Sequence, residues 1–169
     1  NNKYGNRRKI TMRLSVSIYK ERKEKDFRMV ILPKGKNKIG LNQIKNYGIV
    51  SYLNKEEKEK IGEIVLWALS QSDEEVIENK SEIKIEKMYS NESSYSKFTR
   101  KYNVIDFALE KDGSYSLYLW EKDGPGYSIF KDENGNRKEV KFEERPSALE
   151  LGTKLLEMFE FKEKYDGDY

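Results

Sequence analysis

The sequence contains no cysteine and no histidine. Without imidazole, neither a Ser-His-Asp triad nor a histidine general base can be assembled. Without thiolates, thiol nucleophiles are excluded and an ordinary zinc site is not expected. Nor is there a glycine-rich loop closing on Lys-Ser/Thr, or a GxGxxG placed after a strand. Gly124-Pro125-Gly126 resembles such loops only in composition, because it stands between two strand-like runs and reads as a turn. Long apolar runs are missing as well. The longest, 29–32 and 64–69, fall far short of the roughly 18 residues that suggest a membrane span. No secretory signal pattern is present, so the cytosol is the expected location, although a chain without cysteine is compatible with any redox compartment.

Charge is plentiful but unevenly spread. Residues 1–46 hold 14 Lys and Arg against 3 Asp and Glu, whereas 54–92 hold 6 against 11 and 93–169 hold 13 against 16. A basic first third thus precedes two acidic parts. Either the basic face meets an anionic partner, or the two signs meet within the fold. The aromatic share of 12% and the patterned apolar residues argue for a folded chain, and a length of 169 residues suits one domain over 1–169. Residues 1–11 and 163–169 are expected to be flexible tails.

The periodicities predict an α+β fold with a largely antiparallel sheet. Ile10, Met12, Leu14, Val16 and Ile18 alternate with polar residues, which marks a strand with one buried face. A second strand is expected over 27–32, stopped by Pro33 and Gly35, and a third over 47–53 after a basic loop at 36–46. Asn54 with Glu57 three residues on reads as a helix cap, and Ile61, Ile64, Val65, Ala68 and Leu69 form the apolar stripe of a helix over 55–70, widened by Leu66 and Trp67. Beyond an acidic connector at 73–82, alternation at Ile83 and Ile85 suggests a short strand, followed by an exposed loop at 90–97. Four strands are then expected over 102–110, 114–121, 126–130 and 137–143, separated by Asp112-Gly113, Asp123-Gly124-Pro125 and Asn134-Gly135. These turn sequences supply positive φ angles at low cost and suggest a meander. Ser147 with Glu150 caps a last helix, whose buried face is read as Leu149, Gly152, Leu155, Leu156 and Phe159. The two main helices are expected to pack on one face of the sheet. Each carries a glycine inside its apolar stripe, Gly62 and Gly152, which makes an internal duplication conceivable.

Carboxylates are the remaining catalytic currency. Asp106 reads as solvent-facing, because Ile105, Phe107 and Leu109 make the better buried face of its strand. Glu143 and Glu144 are adjacent on a strand and point to opposite faces, so they do not converge. The run Asp73-Glu74-Glu75 with Glu78 lacks the alternating spacing of a calcium loop. No catalytic, cofactor or metal site is therefore assigned, and the chain is expected not to be an enzyme. The twelve tyrosines suit either an interface or edge packing, since tyrosine offers a large rigid contact area with a polar tip.

Residues 13–19, the stretch 27–34, and 47–50 leading into Ile61-Gly62-Glu63-Ile64-Val65 resemble the N-terminal part of immunity proteins from contact-dependent growth inhibition systems. The resemblance covers residues 13 to about 70. It implies a bacterial cytoplasmic protein that binds the toxic domain of a delivered effector and covers its active site, with no active site or cofactor of its own. Because many such toxins are nucleases with basic clefts, the acidic residues Asp73, Glu74, Glu75, Glu78 and Glu82 are the expected contact. The competing expectation is a nucleic-acid-binding accessory protein that uses the basic first third, with Arg7, Arg8, Lys9, Lys34, Lys36 and Lys38 at its centre.

Overall fold

The computed structural model describes residues 13–78 and 84–167. Eight strands form one antiparallel sheet: β1 (Leu14–Glu21), β2 (Phe27–Lys36), β3 (Asn42–Ile44), β4 (Ile49–Leu53), β5 (Tyr102–Leu109), β6 (Tyr115–Asp123), β7 (Gly126–Ile129) and β8 (Glu139–Phe142). Four helices accompany it: α1 (Lys58–Ser70), α2 (Ile85–Tyr89), α3 (Tyr95–Lys101) and α4 (Ala148–Asp166). The expected α+β class holds. The sheet runs β3-β2-β1-β5-β6-β7, with β4 also on β2 and β8 also on β6.

The two halves repeat one pairing scheme. In the first, β1 and β2 form a hairpin, β3 pairs with the far end of β2 at Lys34–Lys36, β4 pairs with its near end at Phe27–Ile31, and α1 follows. In the second, β5 and β6 form the hairpin, β7 takes the far end of β6, β8 takes its near end, and α4 follows. The central pair β1–β5 joins the halves, from Leu14↔Leu109 to Glu21↔Tyr102. The second half is therefore not a simple meander, because β8 returns to β6 instead of pairing with β7. Gly113 and Gly135, with φ of 89° and 80°, occupy the tight turns where Asp-Gly and Asn-Gly placed them.

Pro33 does not stop β2. The carbonyl of Pro33 accepts the Lys45 amide at 3.0 Å, so this residue faces the outer edge of the strand, between the stretches paired with β4 and β3. A missing N–H is tolerated at such an edge position. The basic loop accordingly contains a short strand, β3.

Helices α1 and α4 lie on one face, over a core of Leu14, Val16, Ile18, Met29, Ile31, Ile105, Phe107, Leu117 and Leu119. Ile61, Val65, Ala68 and Leu69 of α1 and Leu151, Leu155, Met158 and Phe159 of α4 supply its other half. Burial of this order, at roughly 25 cal/mol per Å² of apolar surface, is the main stabilising term. Two stripe assignments fail: Trp67 is 47% exposed and Leu149 is 53% exposed, each lying on the outer side of its helix. Ser147 caps α4 as expected, its Oγ accepting the Glu150 amide at 3.1 Å. Asn54 and Glu57 also exchange hydrogen bonds, although regular α1 begins later, at Lys58. The chain over 163–166 is not a loose tail. It completes α4, where Glu163 binds Lys20 and Asp166 meets Lys162 and Arg22.

The opposite face carries a second core, which the sequence did not announce. Tyr19, Val30, Leu32, Tyr102 and Val104 are covered by Ile85 and Phe98 from α2 and α3. The segment expected as a strand from Ile85 is thus helical, and the loop expected at 90–97 gives way to α3 from Tyr95. Ile83 lies outside the described residues.

Candidate partner surface

The acidic connector after α1 folds back along the end of β2. Ser72 fastens it: its hydroxyl accepts the Ser15 amide at 3.0 Å and donates to the Lys34 carbonyl at 2.8 Å. The Lys36 amide then donates to the Glu75 carbonyl, and the Ile77 amide to the Lys36 carbonyl, at 2.8 and 2.7 Å. Gly35 is required here, since a Cβ on it would stand 2.5 Å from the Glu75 carbonyl oxygen. Backbone pairing therefore fixes the connector as far as Ile77.

Its carboxylates are placed by the same pairing. Lys45 Nζ sits 3.0 Å from Asp73 and 3.1 Å from Glu75. Burial works to lower the Lys45 pKa, but its bonds to these two carboxylates prevail and hold it above the ordinary lysine range. Glu74, Glu75 and Glu78 are exposed along the ridge. Glu82 lies outside the described residues. Four of the five residues expected to meet a partner are thus brought together, and two of them are already engaged by one lysine.

Beside the ridge, the β2–β3 turn presents apolar side chains that the sequence reading passed over. In this turn Ile39 is 79% exposed and Leu41 60%; beside them, Val76 of the connector is 50% exposed and Tyr47, between β3 and β4, 40%. The turn is held from within: Asn37 Oδ1 accepts the amides of Ile39 and Leu41 at 3.0 and 2.9 Å, and the Asn37 amide donates to the Leu41 carbonyl. Tyr47 lies under Lys45, with the ammonium 5.8 Å from the ring centre. Val76 bridges Lys36. The result is one corner with large apolar side chains on a braced turn and carboxylates alongside. The signal was legible in Lys38-Ile39-Gly40-Leu41-Asn42, where isolated branched aliphatics stand in an otherwise polar loop.

The basic alternative is arranged differently from its expectation. Arg7, Arg8 and Lys9 lie outside the described residues. Lys34 turns inward to Asp106 at 3.0 Å. Lys36 is 4% exposed and bonds the Arg13 carbonyl and the Asn42 side chain, and burial lowers its pKa. Of the described three, only Lys38 is exposed. The two signs meet inside the fold at Lys34–Asp106 and at Lys45 with Asp73 and Glu75.

Asp106 is the clearest reversal. It is 6% exposed, and its carboxylate accepts the Ser17 hydroxyl at 2.8 Å as well as the Lys34 ammonium. Polar alternation suggested a wet face, but α2, α3 and the long side chains around them enclose this one. Glu143 and Glu144 are both exposed. Among the described residues, no group of three or more carboxylates is placed to hold a metal ion, and no helix is long and apolar enough to cross a membrane. Most of the tyrosines serve packing: Tyr19, Tyr95 and Tyr127 cluster around Phe98, and Phe98 stacks on Tyr102 at 4.4 Å between ring centres. Among the described residues Tyr47, Tyr52 and Tyr165 are the exposed exceptions. No family model matches the chain, and no curated protein matches it in sequence.

Proposed function

We propose that the chain is a non-catalytic binding protein that neutralises a cognate bacterial toxin domain by covering its active site, and that the Ile39–Leu41–Val76 corner carries the contact. The supporting observation is the pairing of strongly exposed aliphatic side chains with a hydrogen-bonded backbone. Exposed apolar clusters rimmed by polar groups mark interaction surfaces, and a turn already fixed loses little entropy on binding. In this reading Ile39, Leu41 and Val76 supply the buried centre of the interface. Glu74, Glu75 and Glu78 form its rim, where carboxylates select a basic partner and speed its approach. Asp73 acts at one remove, by holding Lys45 and the Glu75 amide.

The test is co-purification of the tagged chain from its native host, followed by co-expression with the toxic domain it captures. The wild type is expected to co-purify with that domain and to protect growth. I39D/L41D is expected to do neither while remaining folded. Co-purification and protection that survive I39D/L41D would remove the corner from the contact. Absence of any complex with the wild-type chain would remove the function.

A further inference from the structure

We propose that a basic hollow at the opposite end of the sheet binds a multiply charged phosphate group. The hollow forms where three strand ends meet one helix end. Arg22 and Lys23 follow β1, Arg100 and Lys101 close α3 ahead of β5, and Lys122 stands near the end of β6. With Glu21 they line a space of about 660 Å³. The Arg22 amide donates to the Lys101 carbonyl at 2.8 Å, which locks the two backbone segments side by side. Glu21 pairs across to Tyr102 in the same register.

Five cations converge here, and the carboxylates present do not neutralise them all. Arg22 stands 3.4 Å from Asp166, Lys101 3.0 Å from Glu92, and Lys23 3.4 Å from Glu21. Glu21 also accepts the Arg28 amide at 3.0 Å. Lys122 donates only to the Gly124 carbonyl, at 2.6 Å, and Arg100 makes no ion pair among the described residues. Among the described residues, Arg100 and Lys122 thus line the hollow without an anionic partner. Like charges gathered in a concavity raise its potential, and a bound anion relieves their repulsion.

The lining also indicates which anion. An arginine guanidinium matches phosphate oxygens with two parallel N–H bonds, and lysines add mobile point charges. No aromatic ring is among the six lining residues, so nothing there is placed to stack a base or a sugar face. Recognition would rest on the phosphate charge itself, either in free polyphosphate or in the diphosphate tail of a nucleotide. This site is separate from the apolar corner. The corner abuts the start of β1 and the hollow its end, about 25 Å away along an eight-residue strand.

The experiment is calorimetric titration of the full chain with inorganic tripolyphosphate and, in parallel, with ADP. Wild type is expected to bind tripolyphosphate with a dissociation constant below ~1 mM, weakening as salt rises. R100Q/K122Q is expected to weaken binding at least tenfold. K154Q/K164Q, on the exposed side of α4, should leave it unchanged. Equal affinity for ADP would assign the site to a nucleotide tail, and preference for tripolyphosphate to the free anion; either supports the proposal. No binding at ~1 mM, or equal loss in both double variants, would overturn it. All four side chains lie at the surface, and unchanged circular dichroism checks that each variant is folded.

Discussion

Gly62 and Gly152 face each other's helices in a reciprocal crossing. A Cβ on Gly62 would stand 1.8 Å from the Ala148 carbonyl oxygen, and a Cβ on Gly152 would stand 1.8 Å from that of Lys58. In each case the carbonyl belongs to the residue four positions before the partner's glycine. The crossing is thus two-fold in character, matching the repeated strand pairing of the two halves. Backbone contact at this point lets Ile61, Val65, Leu151 and Leu155 all reach the sheet-side core.

Neither glycine tolerates a methyl group unless the helices separate. G62A and G152A are each expected to destabilise the protein by about 3 kcal/mol, at the upper end of overpacking costs, although alanine is the better helix former. Urea unfolding checks this: the midpoint should fall with little change in slope. A midpoint equal to or above wild type in either variant would contradict the close crossing.

The Lys34–Asp106 pair joins β2 to β5 across β1, with Ser17 between them. D106A leaves a buried ammonium without its partner and is expected to cost about 3–5 kcal/mol. K34M/D106L removes both charges and should recover most of that loss, because a well-packed apolar pair can replace a buried ion pair. Denaturant curves of K34M, D106L and K34M/D106L give the coupling. Strict additivity would contradict a shared buried network.

Much of the fold could be read in the sequence because local signals agreed with the tertiary outcome. Alternation in β1 placed Leu14, Val16 and Ile18 on the helix-covered face, the two Asp-Gly turns located the β5–β6 and β6–β7 hairpins, and Ser147 located the start of α4. Failure came where one face served two purposes. Ser17 and Asp106 look outward by period, yet α2 and α3 roof that face, and neither helix has the length to reveal itself by periodicity. Pro33 misled because its tolerance depends on which edge of β2 it faces, a property of pairing and not of the residue. At the candidate surface the acidic residues were found, but Lys45 lies about thirty positions away and its engagement of Asp73 and Glu75 is a tertiary fact.

Buried phenols set the alkaline limit of stability. Burial raises the pKa of Tyr19, Tyr95 and Tyr127, and pushes Tyr102 up to about 12. A group whose folded pKa is raised lends stability that is complete below its unfolded value, near 10, and is lost as pH climbs through the folded value. Lys20 acts with the opposite sign. Burial lowers its pKa despite its bond to Glu163, so its burden eases as pH approaches the ordinary lysine value. Four tyrosines outweigh Lys20 and Lys36, whose pKa burial also lowers, above about pH 10.5, where the lysine effect is spent. Unfolding free energy is therefore expected to fall between about pH 10 and 12, by up to ~1.4 kcal/mol per pH unit for each tyrosine titrating. Phenolate absorbance should rise together with the loss of helical circular dichroism. Ionisation of all the tyrosines without unfolding would contradict their burial.

The toxin-binding reading stands on the corner formed by Ile39, Leu41, Val76 and the acidic ridge. The most direct measurement is the association and dissociation kinetics of the toxic domain with wild type, I39D/L41D and E74K/E78K. Aspartates at the apolar centre should raise the dissociation rate at least a hundredfold, the effect of losing about 3 kcal/mol of buried contact. Charge reversal on the rim should slow association at low salt and leave dissociation nearly unchanged. Wild-type kinetics in both variants would contradict the account.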